Sequence, residues 1–461
     1  MPAIDRDVRR AARMRSGLLA LGGALTLLLI SLSLQAYGLS MLEIQLAAIR
    51  SWMVGDGLYA YRVPGTQTGA ALSPALALLL APLAALPLPV AGWLLALASL
   101  AALLLALLVL AGPIARRLGR SRAPLVLTLT ALALLTGPVR ATIGLGRTDL
   151  LLFALVVVDL VALRRVAWAR DRWLPGRFPR SRFPDGKQSH TERLRRIWIT
   201  GAWAGTGIGL ATALTPAPVL LIGYLLISRR RRAGLTALST AAAVSLGAFV
   251  AAPGETLTWY GHALWQLDRT APISAADNQS LAGLLARLHG HTAPPVLVWL
   301  SFGVLLLAVG LIRARSAHAD NDEVAAFTLV GLAATVAGPV AAAGEALWLL
   351  PAVLILGDVA IRSRPAGPPG GRPAWPGLCR ALFAGAGLSP ARLAGAGFGL
   401  AAIAGYGLLV ADPHGAVTWN GYAIALIVLV NALPWRNETV PVAPVRRSFR
   451  RAAAIPVPRG G

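Results

Sequence analysis

A carboxylate can take a proton, a guanidinium can grip a phosphate, and a carboxamide can hydrogen-bond a hydroxyl. Few side chains of these types stand beside the long apolar stretches of this 461-residue chain. Glu43, Asp56 and Tyr59 fall in the polar gap 39–72, Arg147 and Asp149 in "LGRTDL", and Glu345 at the head of "EALWLLP". Asn278 and Gln279, in "AADNQSLAGLLARLHGH", offer neutral donors and acceptors suited to hydroxyls or a phosphate. Plainer roles are open to the same residues. Arg147 and Asp149 can pair with each other, and Asp56 in "GDGL" can simply form a turn. Asn278 and Ser280 can cap the helix "LAGLLARL", whose N-terminus is itself a site for anions. His289 and His291 form an H-x-H with no third ligand, so no metal site is expected. The single cysteine, Cys379, excludes an intrachain disulfide and any cysteine cluster.

These groups must be positioned by membrane helices. Hydrophobic residues make up 56% of the chain and charged ones 13%, and apolar windows long enough to span a bilayer recur from Gly17 to the end. The pattern predicts an all-α integral membrane protein, one polytopic domain over 1–434 with a basic tail at 435–461. The N-terminal "RDVRRAARMRSG" precedes an apolar run without a small-residue cleavage site, which reads as an uncleaved first span. A net charge of +24 would suggest nucleic acid in a soluble chain. Here the basic residues cluster at the ends of apolar segments, and no aromatic-interleaved basic domain is present, so no nucleic-acid partner is expected. The lipid bilayer is the expected partner.

Lys and Arg in short loops collect on the cytoplasmic side. Segments 1–16, 113–123, 164–196, 229–232, 312–324, 362–392 and 435–461 hold all but six of the 43 basic residues. The six are Arg50, Arg62, Arg140, Arg147, Arg269 and Arg287, all in the complementary gaps. Glu43, Asp56, Asp149, Glu255, Asp268, Asp277, Glu345 and Asp412 fall in those gaps too. Both termini, the basic loop 164–196 and the linker 362–392 are therefore expected inside. The loops 39–72 and 252–293 are expected outside a bacterial plasma membrane. The Pro-punctuated "SPALALLLAPLAALPLP" is either a short re-entrant helix, giving about 12 spans, or a full span, giving about 13. The working range is about 11 to 13 transmembrane helices. Only Asp159 lies clearly within an apolar run, which argues against an ion-coupled transporter.

Within 39–72, Met41, Leu42, Ile44, Leu46, Ile49, Trp52 and Met53 are spaced for an amphipathic helix lying on the outer membrane face. A juxtamembrane helix after the first span, polar outer loops and a Pro-rich second segment resemble the GT-C glycosyltransferases. More narrowly, the chain resembles glycosyltransferase family 87, bacterial polyprenyl-phosphate-mannose-dependent α-1,2-mannosyltransferases. Six blocks carry the resemblance in order: "AIRSWMVGDGLY", "SPALALLLAPLAALPLP", "LGRTDLLLFALVVVDL", "TALTPAPVLLIGYLLISRRRR", "NQSLAGLLARL" and "GPVAAAGEALWLLPAVLIL".

The resemblance implies a helical bundle whose outer loops form a cleft at the bilayer surface. There a polyprenyl-phosphate-linked hexose, in this family mannose, meets a glycolipid or glycan acceptor, with no cofactor. It also implies an inverting displacement, with an outer-loop Asp as general base. That Asp falls on Met41, which cannot take a proton. The family's His-His pair falls on Gly344 and Glu345, its Lys before L-T-P on Ala213, and its Q-V-N on Arg147, Thr148 and Asp149. The apolar frame is kept while the polar chemistry has changed. Two accounts fit. In one the site is rebuilt, with Glu43 or Glu345 as base and Arg147 on the lipid phosphate. In the other the chain is a catalytically impaired relative acting as a binding or partner subunit in envelope glycan assembly.

Overall fold

The computed structural model describes residues 2–66, 68–117, 122–172, 198, 200–291, 293–342, 344–363, 390–411 and 420–435. The basic loop 164–196 is described only in part. Most of the linker 362–392, the tail beyond Trp435, Cys379 and Asp412 lie outside the described residues. Every regular element among the described residues is helical.

Helix α1 (Pro2–Tyr37) ends at a sharp corner where Gly38 and Leu39 both take positive φ. That corner launches α2 (Ser40–Val54), the expected amphipathic helix. It buries Leu42, Leu46, Ala48 and Ile49 and leaves Met53 and Val54 exposed. Gly55, at φ 109°, ends it where an L-residue would be strained. An extended passage then leads to α3 (Pro74–Ala84). With 11 residues, this helix is only about 16 Å long and cannot cross a hydrocarbon core alone. Both its ends are tied down. Ser73 Oγ accepts from Leu76 N (3.2 Å) and donates to Leu214 O (2.9 Å), while Arg50 donates to Ala84 O and Leu86 O at 2.8 and 3.0 Å. With parts of the later chain, α2, α3 and their connection build an apolar core of their own around Leu42, Leu58, Leu76 and Trp259.

The trunk follows: α4 (Leu88–Leu110), α5 (Gly112–Arg117), α6 (Arg122–Leu134), α7 (Gly137–Leu145) and α8 (Asp149–Arg172). Then come α9 (Thr206–Leu214), α10 (Val219–Ile227), α11 (Arg231–Ala251), α12 (Pro253–Gly261), α13 (Leu281–Leu288) and α14 (Val296–Ala319). The last are α15 (Glu323–Ala337), α16 (Leu349–Arg362), α17 (Pro390–Val410) and α18 (Gly421–Ala432). Among the described residues five helices, or stretches of them, are long and apolar enough to cross a membrane: Ala20–Tyr37, Leu88–Leu110, Arg231–Ala251, Val296–Ala319 and Leu393–Val410. The pair α6–α7, bent by 73°, makes a sixth if counted as one span.

The count of about 12 read from hydropathy is larger because several apolar stretches fold as broken or short helices. Pro216 and Pro218 interrupt the run between α9 and α10, since proline removes a donor and clashes with the preceding turn. The multi-pass membrane class follows from the long spans; the number of crossings does not.

Helix α15 is the axis of the trunk, buried along almost its whole length. Trp299 Nε1 donates to Ala337 O (3.3 Å), which fixes the start of α14 beside the end of α15. At the other end of α15, Glu323 accepts from Arg230, and His318 Nδ1 lies 2.7 Å from the same carboxylate. Asp159, the acid read within an apolar run, is fully buried in α8. Its Oδ2 accepts from Ile208 N at 2.7 Å and so caps α9, whose own N-cap, Gly205, has no side chain to offer.

Candidate active site

Four backbone features converge at the end of the bundle where α1 turns into α2. Helix α7 stops at Gly146, which takes φ 70° and packs against Leu42 of α2; an added Cβ would lie 2.6 Å from Leu42 Cβ. Leu39 N donates to Gly144 O (3.0 Å), closing the same seam. Arg147 N then returns to Thr142 O (2.9 Å), and Asp149 opens α8, where a carboxylate faces the positive end of the helix dipole. From the far side, the chain leaving α15 delivers Gly344 and Glu345 just before α16.

The side chains meet across this junction. Arg147 Nε donates to Asp149 Oδ2 at 2.6 Å, and Arg147 Nη2 reaches Glu345 Oε1 at 3.4 Å, a contact between residues 198 positions apart. Gly344 sits against the pair. A Cβ there would overlap Asp149 Oδ2 and come within 3.0 Å of Thr142 Oγ1 and 3.3 Å of Arg147 Nε. The histidine that the family resemblance expects at 344 has no room beside this Asp149.

Burial raises the Glu345 carboxyl, the Arg147 charge draws it down, and Asp149 pushes it up again; the result is about 7. Arg147 holds its proton more tightly than usual, because Asp149 and Glu345 outweigh the cost of its burial. A carboxyl titrating near 7 and about one-third exposed (32%) can exchange a proton with a bound hydroxyl at neutral pH.

The amide pair behaves differently. Asn278 is buried, with Nδ2 donating to Ile273 O and Pro339 O and Oδ1 accepting from Ser280 N and Ala341 N. Gln279 is buried too: its N–H donates to Ala341 O (2.8 Å) and its Nε2 to Ala276 O (2.9 Å). Ser280 caps α13 by accepting from Gly283 N (3.1 Å). Asn278 and Gln279, expected to face a ligand, instead bind the 273–280 turn to the segment that carries Glu345. Capping and cross-bracing use their valences.

Glu43 is exposed on α2, next to the Leu42–Gly146 contact, and its carboxylate makes no hydrogen bond or ion pair with the described residues. Asp56 is exposed and accepts from Ser51 Oγ at 3.3 Å, closing the turn after α2. Tyr59 is buried; its hydroxyl donates to Leu72 O (3.0 Å) and its ring stacks on Trp259 at 5.9 Å. Arg147, Asp149 and Glu345 are thus brought together, while none of these three joins their ion pairs.

Residues passed over by motif reading hold the loops in place. Arg269, 3% exposed, donates to Ala70 O and Tyr59 O (2.6 Å each) and to Gln266 Oε1. Arg287 bonds Asn420 Oδ1, Ala275 O and Asn278 O. Both were visible as leftovers of the charge asymmetry, which flagged them without assigning partners. Among the described residues no three His, Cys, Asp or Glu side chains gather closely enough to hold a metal ion.

A model of glycosyltransferase family 87 matches residues 73–341, more than half of the chain. Arg147, Asp149, Asn278 and Gln279 lie inside the match, Glu43 and Glu345 outside it. A polyprenol-phosphate-mannose-dependent alpha-(1-2)-phosphatidylinositol mannoside mannosyltransferase from Mycobacterium tuberculosis is 34% identical over 158 residues, 34% of this chain and 36% of that protein. Its namesake from Mycolicibacterium smegmatis is 30% identical over 168 residues, 35% of this chain and 38% of that one. A pentamannoside-directed relative from the same species is 26% identical over 165 residues. The chain spans little more than a third of the length of these curated relatives. No solved structure matches.

Proposed function

The chain belongs to glycosyltransferase family 87, and from that premise we propose that it transfers mannose from a polyprenyl-phosphate donor to a glycolipid or glycan acceptor outside a bacterial plasma membrane. The observation that carries this reading is the Arg147–Asp149–Glu345 contact. Two blocks in which the sequence departs from the family's polar residues meet in space and supply a carboxyl titrating near neutrality. In the reaction the acceptor hydroxyl gives its proton to Glu345 as its oxygen bonds the anomeric carbon. The bond from that carbon to the phosphate oxygen breaks, and its electron pair leaves on polyprenyl phosphate. Asp149 holds Arg147, Arg147 orients Glu345, and its remaining N–H donors face the departing phosphate. Glu43, exposed one residue from the Leu42–Gly146 seam, is the other carboxylate able to act as base. Asp56 is open to an acceptor hydroxyl at the rim.

The membrane arrangement is part of the proposal. About twelve crossings, α3 excluded as re-entrant, bring both termini to the cytoplasm and the Glu345 end of α15 to the outer face. In support, the leftover arginines Arg147 and Arg287 bond Glu345 and the turn braced to its segment, whereas Arg230, with the basic run behind it, bonds Glu323 at the other end of α15.

The test is turnover by the purified full-length protein in nanodiscs, with polyprenyl-phosphate-mannose and phosphatidylinositol mannoside. Glu345→Gln should lower kcat by about a hundredfold or more, and Glu43→Gln by far less. Full turnover in Glu345→Gln refutes the assignment of the base. The engagement of Arg147 by two carboxylates of its own chain favours a second reading, a non-catalytic relative serving as a binding subunit. No turnover by the unaltered protein across several lipid donors and acceptors selects that reading.

A further inference from the structure

The stretch 275–279 consumes its amides but leaves one carboxylate open. Ala275 to Asn278 form a turn closed by Asn278 N donating to Ala275 O at 3.0 Å. Arg287 grips both shoulders of that turn, with Nη1 on Ala275 O (2.6 Å) and Nη2 on Asn278 O (2.9 Å). Two bonds then lock the turn to the segment leading to Glu345: Ala341 N to Asn278 Oδ1 (2.9 Å) and Gln279 N to Ala341 O (2.8 Å). Asp277 lies on the crest of this braced turn. It is exposed, and its carboxylate makes no hydrogen bond or ion pair with the described residues. Its neighbours Asn278 and Gln279 are bonded to Ala341, and Glu345 N donates to Ala342 O (2.9 Å), so the turn that carries Asp277 is fastened one short turn of chain before Glu345.

We propose that Asp277 is a sugar-positioning residue, accepting hydrogen bonds from neighbouring hydroxyls of a hexose held in front of Glu345. This rests on the transfer reading above. The chemistry is specific. An ionised carboxylate only accepts, so it matches hydroxyl donors and repels a phosphate. The hydrogen bonds of Arg287 go to Asn420 Oδ1 and two carbonyls, which leaves both carboxylate oxygens of Asp277 open to donors from a ligand. The rigid bracing of the turn fixes where those two oxygens stand before the sugar arrives.

The hexose could belong to either substrate, and binding separates the two. The full-length protein in nanodiscs is titrated with polyprenyl-phosphate-mannose against bare polyprenyl phosphate, and with phosphatidylinositol mannoside against phosphatidylinositol. In one of these arms the unaltered protein should favour the sugar-bearing lipid, and Asp277→Asn should cut that preference about tenfold, the worth of one charge-assisted hydrogen bond. Affinity for the sugar-free lipid should not fall, which also reports an intact fold. Glu345→Gln should keep the preference while losing turnover. Unchanged preferences in both arms, no preference in the unaltered protein, or an equal loss for bare lipids each overturn the assignment. The transfer reading is judged separately, on turnover.

Discussion

Arg147→Gln tests the coupling between the guanidinium and Glu345 directly. The two lie 3.4 Å apart. At that distance unit charges interact by about 1 kcal/mol in a water-like medium and about 5 kcal/mol at an effective dielectric of 20. Glu345 is about one-third exposed, so solvent screening places the loss in the lower part of that range, about 1.5 to 3 kcal/mol. Each 1.36 kcal/mol moves a titration by about one pH unit. The Glu345 carboxyl, now near 7, should therefore rise to about 8 or 9 in the variant.

A base must be deprotonated to work, so about half of the unaltered enzyme is competent at pH 7 and about 1 to 10% of the variant. Turnover at pH 7 should drop about five- to fiftyfold and recover toward pH 9. The assay is kcat/KM against pH from 5 to 10, whose acid limb reports the free enzyme. An acid limb that stays put or moves to lower pH refutes the coupling. A limb of the same position in Glu345→Gln refutes the identity of the base.

Stability should carry the same signature. A carboxyl raised from its ordinary range to about 7 holds its proton in the fold while the unfolded chain has lost it, so its contribution is full below about 4.5 and is lost as pH rises through 7. Thermal melts of the unaltered protein minus those of Glu345→Gln should fall across that window; a flat difference counts against the shift. Gly344→Ala should force Asp149 and Thr142 apart, costing about 1 to 3 kcal/mol and widening the Arg147–Asp149 pair, visible as a lower Tm with reduced turnover. An unchanged Tm would mean the junction has slack. Asn278→Ala should strand Ala341 N, Ser280 N and Ile273 O, while Pro339 O keeps the Ser280 hydroxyl; the cost should be about 2 to 4 kcal/mol, lowering Tm while the folded fraction keeps its lipid affinity. Lost affinity at unchanged Tm would restore Asn278 as a ligand contact.

The helical membrane class was legible because apolar windows and basic flanks each answer to one physical cause, the cost of polar groups in hydrocarbon. The segment 40–54 was legible for the same reason, since its apolar spacing fits one helix face. Helix breaks were harder. Pro216 and Pro218 mark where α9 must stop, yet the sequence around them is as apolar as a continuous span. At the site, residue type singled out Arg147, Asp149 and Glu345 and allowed Arg147 and Asp149 to pair, but not that Glu345 meets Arg147 across 198 positions. Asn278 and Gln279 misled for an opposite reason. A carboxamide bonds backbone as readily as it bonds a sugar, and only the packed chain shows Pro339 O arriving at Asn278 Nδ2 and Ala276 O at Gln279 Nε2.

The apolar core that α2, α3 and their connection build of their own, here called the cap, bears on how the chain is made. Residues 39–95 supply nearly all of its apolar core, and Arg50 clasps the end of α3 from within that same stretch. Emerging first from the ribosome, this stretch can condense while the later helices are still unsynthesised. Trp259 and Arg269 come some two hundred residues afterward and close onto Tyr59 and Ala70. The cap is therefore buckled shut by the second half of the polypeptide, and a chain truncated before that buckle would carry its first half assembled but unlatched.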